Sequence, residues 1–377
     1  MLENNHLLII NDDFWRGPKR VRHKMAQAWA RAGNRVLWIE QPPFPNDFRA
    51  GRTTLRRSLL PALEKVEERL WTGTLPPALP RMLKGGALGH GLLALHRPWD
   101  LHRIRKYLGQ AELRPDIVVL FQQPARWDLL RHLPFEFSVY YVNDIYGYGG
   151  GREKEMEDEA HCCREVDVVL TTARVMKERL APHNPETHHV AHAVDPAWWE
   201  ENKTRMPPEY DRIPAPRAVY TGVCSGRVDY ELLSDVAQRC PDWQFVLIGP
   251  VQNSQGEVDR LAKQENVHFI GGCSAEDLPG YIAGADALMI PYKLAELQHY
   301  VGLPIKFFEY AISGKPILST PFTEIELEQP EVVYLEDDAA GWAGRLEALR
   351  SEGEDPALAE KRVALAQENT YAKRLDQ

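Results

Sequence analysis

The sequence has little cysteine, and its cysteines follow no metal-binding or disulfide pattern. The five cysteines are an odd number, and none lies in a C-x-x-C pair or in a Cys/His cluster with zinc spacing. A disulfide framework and a structural zinc site are therefore excluded, and a reducing, cytoplasmic compartment is predicted. The start MLENNHLLIINDD has acidic residues where a secretory leader carries positive charge, so no leader is predicted.

Three further patterns are absent, and each absence excludes a class of protein. No run approaches the roughly 18 uninterrupted apolar residues of a membrane-spanning helix. No G-x-G-x-x-G follows the first predicted strand, so a dinucleotide-dependent oxidoreductase lacks its phosphate-binding turn. No G-x-S-x-G turn is present, which argues against a Ser/His/Asp esterase.

Charge is divided unevenly along the 377 residues, whose formal net charge is −9. Residues 1–135 hold 22 Lys and Arg against 12 Asp and Glu, whereas residues 136–377 hold 23 against 42. Basic clusters within 49–60 and 81–106 are typical of a surface that faces anions. Because no zinc finger, aromatic RNA-binding box or heptad-linked basic helix is present, we predict an anionic inner-membrane surface as partner and no nucleic acid.

Short runs of Val, Ile and Leu alternate with helical patterns along the whole chain, which is typical of parallel sheets covered on both faces. The predicted strands are 6–10, 35–40, 116–121, 137–142, 167–172 and 188–191, then 217–222, 243–249, 267–272, 286–291, 315–320 and 332–335. We therefore predict an α/β protein with two doubly wound domains. Ligands of such domains bind at the carboxyl ends of the strands, here in a cleft between the two domains.

A polar, proline-rich stretch at 201–216 separates the two domains. The boundaries we predict are 1–200 for the first domain and 212–350 for the second. A helix within 351–377 is expected to pack back on the first domain.

The segment 18–32 predicts the first helix, because Pro18 suits a first helical position and an apolar stripe follows it. The first turns of this helix gather four basic residues, Lys19, Arg20, Arg22 and Lys24. Helix N-termini favour negative neighbours, so we expect an anion such as a diphosphate or a lipid headgroup nearby. Gly17 precedes the helix and either brings the backbone close to phosphates or serves as a turn glycine.

The most informative local pattern is VGLPIKFFEYAISGKPILSTP at 301–321. Lys306, Glu309 and Tyr310 are spaced to share one face of a helix that Pro304 can begin and Gly314 can end. A carboxylate there can accept hydrogen bonds from two sugar hydroxyls, and the lysine suits phosphate oxygens. The alternative is a surface ion pair between Lys306 and Glu309, worth about 0 to 1 kcal/mol.

The same segment resembles the nucleotide-binding segment of GT-B glycosyltransferases of the teichuronic acid and xanthan type, a group 1-like family. The resemblance covers nearly the whole chain, through DVVLTTARVMKERL, VAHAVDPAWW, RAVYTGVCSGRVDYELL and PDWQFVLIGP. It implies two Rossmann-like domains facing a cleft, with the acceptor on the first and a nucleoside diphosphate sugar on the second. It also implies that no metal and no cofactor are needed.

By this resemblance Glu309 holds the donor ribose and Lys306 the diphosphate or the base, with Tyr310 on the same face. The loop after RAVYT adds Gly222, where the backbone can approach a ligand, and Arg227 as a phosphate partner. Arg227 pairing with Asp229 or Glu231 on the surface is the alternative. Gly17 is implied to approach the donor phosphates.

The stereochemistry of transfer stays open at the level of the sequence. Many retaining relatives carry two glutamates eight positions apart, and here Val301 occupies the first position while Glu309 fills the second. Ala193 also replaces a glycine of the family pattern. An inverting transfer needs a base, and Asp144, which follows the strand FSVYYV and opens a glycine-rich loop, is our candidate.

We therefore predict a glycosyltransferase that moves a sugar to a hydroxyl of a glycan or lipid-linked glycan in cell-surface polysaccharide synthesis. It is expected to be cytoplasmic and peripheral on the inner face of the cell membrane. Two alternatives remain: a sugar-nucleotide epimerase of the same architecture, and a non-catalytic protein that binds through its basic face.

Overall fold

A computed structural model describes residues 3–17, 21–43, 45–49, 51, 53–54, 59–60, 62–76, 87–143, 153–294, 302–328 and 331–374. Asp144 and Val301, to which the sequence assigned roles, lie outside these ranges. The chain divides into two units, one ending at Val190 and a second over Ala191–Arg374.

The first unit is built on an eight-stranded sheet in the order β3-β4-β2-β1-β5-β6-β7-β8. Its strands are β1 (His6–Ile10), β2 (Arg35–Glu40), β3 (Leu63–Glu67), β4 (Leu70–Thr74), β5 (Ile117–Phe121), β6 (Phe137–Val142), β7 (Val168–Thr171) and β8 (Thr187–His189). Every pairing is parallel except β3 with β4. Leu7 to Ile10 of β1 are all fully buried, because a central parallel strand is covered on both faces.

The helices of the first unit follow the strands they connect. They are α1 (Val21–Arg31), α2 (Pro45–Arg49), α3 (Ala87–Gln110), α4 (Glu153–Glu165) and α5 (Arg174–Leu180), with a 3-10 helix at Pro124–His132. In α1 the buried Met25 and Trp29 form the inner stripe predicted from the sequence.

The second unit carries a six-stranded, wholly parallel sheet in the order β11-β10-β9-β12-β13-β14. Its strands are β9 (Arg217–Thr221), β10 (Gln244–Ile248), β11 (Val267–Gly271), β12 (Ala287–Ile290), β13 (Ile317–Ser319) and β14 (Tyr334–Leu335). Its helices are α6 (Pro196–Asn202), α7 (Tyr230–Arg239), α8 (Gln255–Leu261), α9 (Leu278–Ala283), α10 (Ile305–Ala311), α11 (Thr323–Glu328), α12 (Ala339–Ser351), α13 (Pro356–Glu368) and α14 (Tyr371–Arg374), with a 3-10 helix at Pro208–Asp211. The predicted α/β architecture of two doubly wound sheets is confirmed.

Two glycines let the chain turn sharply where β9 and β10 end. Gly222 has φ +131° and Gly249 has φ +147°, values that side chains other than glycine rarely adopt. The two turns also touch, since a Cβ added at Gly249 would lie 1.9 Å from the Gly222 carbonyl oxygen. This contact fixes the loop after β9 against the neighbouring strand.

Helix α13 packs within the second unit. The fully buried Arg362 of α13 donates to the carbonyls of Val332 (2.7 Å) and Gly314 (3.2 Å) and pairs with Glu354 at 2.6 Å. Val194 forms a β-bridge with Thr370. Helix α13, predicted to return to the first domain, is therefore part of the second unit.

None of the described helices combines the length and the apolar character needed to cross a membrane.

Candidate functional site

Lys306 and Glu309 lie on helix α10, which begins at Ile305 directly after Pro304, as the sequence predicted. The helix ends at Ala311, and Gly314 adopts φ +71° just beyond it. The Glu309 side chain is 8% exposed, and Lys306 is half-buried. The predicted surface ion pair is absent, because Lys306 makes no salt bridge with a residue in the described ranges.

Lys306 lies instead among aromatic rings at the carboxyl ends of β9 and β12. Its Nζ is 3.7 Å from the ring centre of Tyr220 and 5.5 Å from that of Tyr292. A Cβ added to Gly222 would lie 2.7 Å from the same Nζ, so the ammonium occupies space that this glycine leaves open. The structure thus brings the predicted residues Lys306 and Gly222 together.

The pKa of Lys306 is lowered to about 7, and burial is the main cause because it removes water from the charged form. Glu309 opposes this shift by attraction, whereas the positive charge of Arg227 adds to it. Glu309 and Arg227 are therefore each close enough to Lys306 to influence its charge, and a bound anion would favour the protonated lysine.

The loop between β9 and α7 presents Arg227 to solvent. Asp229 does not pair with Arg227; its side chain caps α7 by accepting the Leu232 N–H at 2.9 Å. Within the described ranges, the Arg227 guanidinium makes no ion pair with Glu231 either. The backbone of Arg227 is held because its carbonyl accepts the Lys293 N–H at 3.0 Å. Lys306 and Arg227 thus have no carboxylate at salt-bridge distance among the residues that the structure describes.

Tyr310 lies behind this surface and is fully buried. Its hydroxyl accepts the Thr221 N–H at 2.8 Å and is 3.1 Å from Thr221 Oγ1. Burial raises the pKa of Tyr310, so the hydroxyl stays protonated. Tyr310 therefore joins α10 to the end of β9, and a direct contact with a ligand would require its ring to leave this position.

In the first unit, Gly17 ends a turn in which its N–H donates to the Phe14 carbonyl at 2.9 Å. This is the geometry of the turn glycine that the sequence left as an alternative, and contact of Gly17 with phosphates stays a prediction.

The sequence predicted that a bound anion offsets the basic start of α1. Arg22 needs no such anion, because carboxylates of the protein pair with it. Its guanidinium is buried and pairs with Asp12 and Asp13, the latter at 3.3 Å. The two aspartates precede the helix and supply the negative charge that its first turn favours.

Asp144, the candidate base, lies outside the described residues, but its predecessor Asn143 directly follows β6 at the carboxyl edge of the sheet. The Asn143 N–H donates to Gln122 Oε1 at 2.8 Å, and Thr172 Oγ1 donates to the Asn143 carbonyl at 3.3 Å. Gln122 itself has φ +49°, an uncommon conformation for a residue other than glycine. Polar groups from three neighbouring strands therefore meet here.

Sequence reasoning missed Tyr220 and Tyr292, although both stand at the carboxyl ends of predicted strands, where ligands of doubly wound sheets bind. Within the described ranges, no three His, Cys, Asp or Glu side chains form a group that could hold a metal ion. Metal independence stays a prediction.

Comparisons with known proteins find a family similarity within the second unit. The family model of the glycosyl transferases group 1 matches residues 228–352, which contain Lys306 and Glu309. The putative teichuronic acid biosynthesis glycosyltransferase TuaH of Bacillus subtilis (strain 168) is 26% identical over 175 residues. That alignment covers 45% of this chain and 41% of the length of TuaH.

Solved structures resemble the whole chain. Sucrose-phosphate synthase from Thermosynechococcus elongatus matches with a TM-score of 0.71 and 16% identity, covering 98% of this chain and 97% of its own. The Anabaena protein Alr3699/HepE, in complex with UDP and glucose, matches with a TM-score of 0.66 and 12% identity. The match covers 99% of this chain and 98% of the HepE chain. The predicted resemblance is confirmed: the chain has the GT-B fold, and residues 228–352 match the family model of the glycosyl transferases group 1.

Proposed function

We propose that this protein is a glycosyltransferase that uses a nucleoside diphosphate sugar and acts in the synthesis of a cell-surface polysaccharide. One observation carries the proposal: Lys306 and Arg227, two cations without a carboxylate partner among the described residues, lie near the buried Glu309 at the carboxyl ends of β9 and β12. The group 1 family match over these residues and the similarity to TuaH support it.

The side chains of this site suit the charges of such a donor. Transfer leaves negative charge on the departing nucleoside diphosphate, and fixed cations stabilise that charge. Lys306 and Arg227 would supply this stabilisation. The Glu309 carboxylate can accept hydrogen bonds from two neighbouring ribose hydroxyls, because an ionised carboxylate offers only acceptors. HepE, which binds UDP and glucose, supports a nucleotide ligand for this fold.

The acceptor is proposed to be a hydroxyl of a glycan or lipid-linked glycan bound to the first unit. If the reaction inverts the anomeric carbon, Asp144 would take the proton of that hydroxyl as it attacks. If it retains the configuration, Asp144 is not needed as a base. Asp144→Asn should abolish an inverting reaction and leave donor binding intact.

A thermal-shift series against UDP-, GDP-, dTDP- and ADP-sugars tests the function and identifies the nucleotide. A ligand that binds only the folded protein raises its apparent stability, by about 2.7 kcal/mol at 100 times its dissociation constant. One donor should stabilise the wild type, and the same assay with EDTA should give the same shift because no metal is proposed. No shift with any donor at millimolar concentration would contradict the function.

Two alternatives are separated by what the protein does with that donor. A sugar-nucleotide epimerase would convert the donor without an acceptor, whereas a transferase would consume it only with one. A non-catalytic protein that binds through its basic face would keep its function after Glu309→Ala.

We also propose that the first unit docks on the anionic inner face of the cell membrane. Within the described residues three apolar side chains are strongly exposed there: Trp99 (68%), Leu59 (57%) and Leu60 (54%). Arg103 of the same helix as Trp99 donates to the Leu59 carbonyl at 3.1 Å, which brings the two segments together. Tryptophan favours the membrane interface, so this apolar group suits insertion at the level of the headgroups.

Two of the described cations near this group are already engaged, whereas Arg52, Arg56, Arg57, Arg81 and Lys84 of the predicted basic clusters lie outside the described residues. Arg97 pairs with Asp128 at 2.6 Å, and Arg105 donates to the His132 carbonyl at 2.9 Å. Lys106 is exposed and makes no ion pair with a described residue, and it lies on the same helix as Trp99. Each basic residue near an anionic surface contributes roughly 1 kcal/mol, and insertion of Trp99 would add to the affinity that Lys106 supplies.

A further inference from the structure

The Lys306 ammonium lies against aromatic rings, and among the described residues it pairs with no carboxylate. Its Nζ lies 3.7 Å from the ring centre of Tyr220 and 5.5 Å from that of Tyr292, distances at which a ring face attracts a cation. A ring face does not use up the three N–H donors of an ammonium as a carboxylate would. Lys306 therefore keeps donors that a bound anion can use.

We propose that Tyr220 and Tyr292 are positioning residues, an aromatic seat that holds the Lys306 ammonium over Gly222, where it meets the diphosphate of the donor. The inference rests on the proposed function and deepens it by assigning two residues outside the Lys-x-x-Glu pattern.

The backbone beneath the seat has the shape that this role requires. Gly222 adopts φ +131°, and any side chain there would come within 2.7 Å of Lys306 Nζ. The Gly222 N–H donates to the Ile248 carbonyl at 2.8 Å, which fixes the turn. The ammonium thus lies directly against a stretch of backbone that a ligand can also approach.

Both rings are themselves fixed by contacts at the edge of the sheet. The Tyr220 hydroxyl donates to the Val223 carbonyl at 3.0 Å. Tyr292 is bonded through its backbone, since its N–H donates to Thr320 Oγ1 at 3.0 Å and its carbonyl accepts from the same hydroxyl at 2.9 Å. The Tyr292 ring also packs against Phe322, with 5.7 Å between the ring centres.

The titratable groups that influence Lys306 come from helix α10 and from the loop after β9. Glu309 on α10 attracts its proton, Arg227 on the loop after β9 repels it, and the buried thiol of Cys224 lies on the same loop. Burial raises the pKa of Cys224 to about 11 and that of Tyr292 to about 12, so both stay neutral near pH 7. Burial outweighs the attraction of Glu309 and lowers the pKa of Lys306, so a bound diphosphate would return the proton to Lys306.

The seat can be tested by amine acetylation of the full-length protein with inorganic pyrophosphate as the probe. Acetic anhydride modifies neutral amines, and mass spectrometry reports the rate at each lysine. Pyrophosphate should protect Lys306 in the wild type and leave the exposed Lys263 unchanged. Tyr220→Phe and Tyr292→Phe keep the ring face and should retain protection.

The leucine variants remove the ring face. Tyr220→Leu and Tyr292→Leu should require about 2- to 30-fold more pyrophosphate for equal protection, the factor that corresponds to a cation–π contribution of about 0.5 to 2 kcal/mol. Thermal unfolding checks that each variant is folded. If Tyr220→Leu does not fold, the comparison of Tyr292→Phe with Tyr292→Leu tests the proposal. Equal protection in the phenylalanine and leucine variants would overturn the seat.

The outcomes also separate this inference from the proposed function. Ring-dependent protection of Lys306, together with no stabilisation by any nucleotide sugar, would keep the seat and contradict the transferase. Stabilisation by a nucleotide sugar while Lys306 stays unprotected by both that ligand and pyrophosphate would overturn the seat alone.

Discussion

Glu309 is the single side chain that should matter most for holding the donor through hydrogen bonds. Glu309→Gln keeps the size of a buried side chain that is 8% exposed but removes its charge. Hydrogen bonds to charged groups contribute about 1.5 to 3 kcal/mol, so the dissociation constant for the donor should rise about 10- to 150-fold. Isothermal titration with the donor found by thermal shift measures this change.

The control for that substitution is Glu326→Gln, which neutralises an exposed glutamate of the same unit. It should leave the dissociation constant unchanged. Equal affinity of the Glu309→Gln variant and the wild type would contradict the assigned role.

Lys306 should make donor binding depend on pH. Its folded-state pKa of about 7 lies below the ordinary value near 10.4, so the folded protein binds fewer protons than the unfolded chain between these two values. Stability linked to Lys306 is therefore lowest below pH 7 and rises between about pH 7 and 10. Diphosphate binding should change in the opposite sense and weaken as pH rises above about 7.

Lys306→Met should remove both effects. Its affinity for the donor should be lower than that of the wild type at pH 6 and should vary less between pH 6 and 9. Its gain in thermal stability over the wild type should be larger at pH 6 than at pH 9. An unchanged pH profile would assign the titration to another group.

Single residues differ in how far the sequence could predict them. The shared face of Lys306 and Glu309 follows from helical spacing within one short segment. The seat does not, because Tyr220 and Tyr292 come from two other strands, and only the pairing of β9 with β12 brings them to α10. The ion pairs of Arg22 were missed for a related reason, since the conformation of the loop before α1 decides whether Asp12 and Asp13 reach it.

At the scale of elements, α10 depends on α13 for its position. Arg362 lies fully buried between Glu354 and the carbonyls of Gly314 and Val332, so it fixes the chain just beyond α10. Arg362→Met leaves Glu354 without its partner, and breaking a buried pair costs about 3 to 5 kcal/mol. Urea unfolding should show a loss of this size in the free energy of unfolding.

A double variant separates charge from packing. Arg362→Met with Glu354→Gln should recover part of the loss, because no uncompensated carboxylate remains. Arg350→Met breaks the exposed pair with Glu347 and should change the free energy of unfolding little. A loss after Arg350→Met as large as that after Arg362→Met would contradict the distinction.

The predicted elements were those with strong local patterns. Every strand written in Val, Ile and Leu is present, with ends within about two residues of the prediction. The hairpin β3–β4 was missed because LEKVE alternates charge with partial exposure and LWTGT contains a glycine. Gly73 is needed there because the Tyr107 ring, from distant α3, lies 2.6 Å from the place of its Cβ. The strand conformation of that segment therefore depends on tertiary contacts and not on a local sequence pattern.

At the scale of the whole molecule, the proposed membrane docking depends on Trp99 and on charge. The wild-type protein should float with liposomes that contain phosphatidylglycerol. The fraction of protein that floats should fall as the salt concentration increases. Lys106→Ala should weaken binding about 5-fold, as expected for a loss of roughly 1 kcal/mol. Trp99→Ala should weaken binding as well. The factor by which it weakens binding should depend less on salt than the effect of Lys106→Ala does.

Met206→Ala provides the matched control, because Met206 is 56% exposed but lies in the second unit. It should float as the wild type does. Flotation that is equal with neutral and anionic liposomes, or insensitive to Trp99→Ala, would contradict docking through this surface.

The presence of two sheets was accessible from the sequence because the alternation of strands and helices resumes after 201–216, but the two units divide between Val190 and Ala191, before that stretch. The contacts of the last helices could not be predicted from the sequence. Helix α13 joins the second unit through the buried Arg362, and periodicity cannot distinguish a buried arginine from an exposed one.

The antiparallel strand β3 also governs how copies of this protein can meet. It is an edge strand of the eight-stranded sheet and carries Glu64, Lys65 and Glu67. A foreign strand adding to this edge would have to bring its backbone against alternating charges, which disfavours uncontrolled β-aggregation. Copies of this protein at high concentration would therefore stay separate along this edge of the sheet.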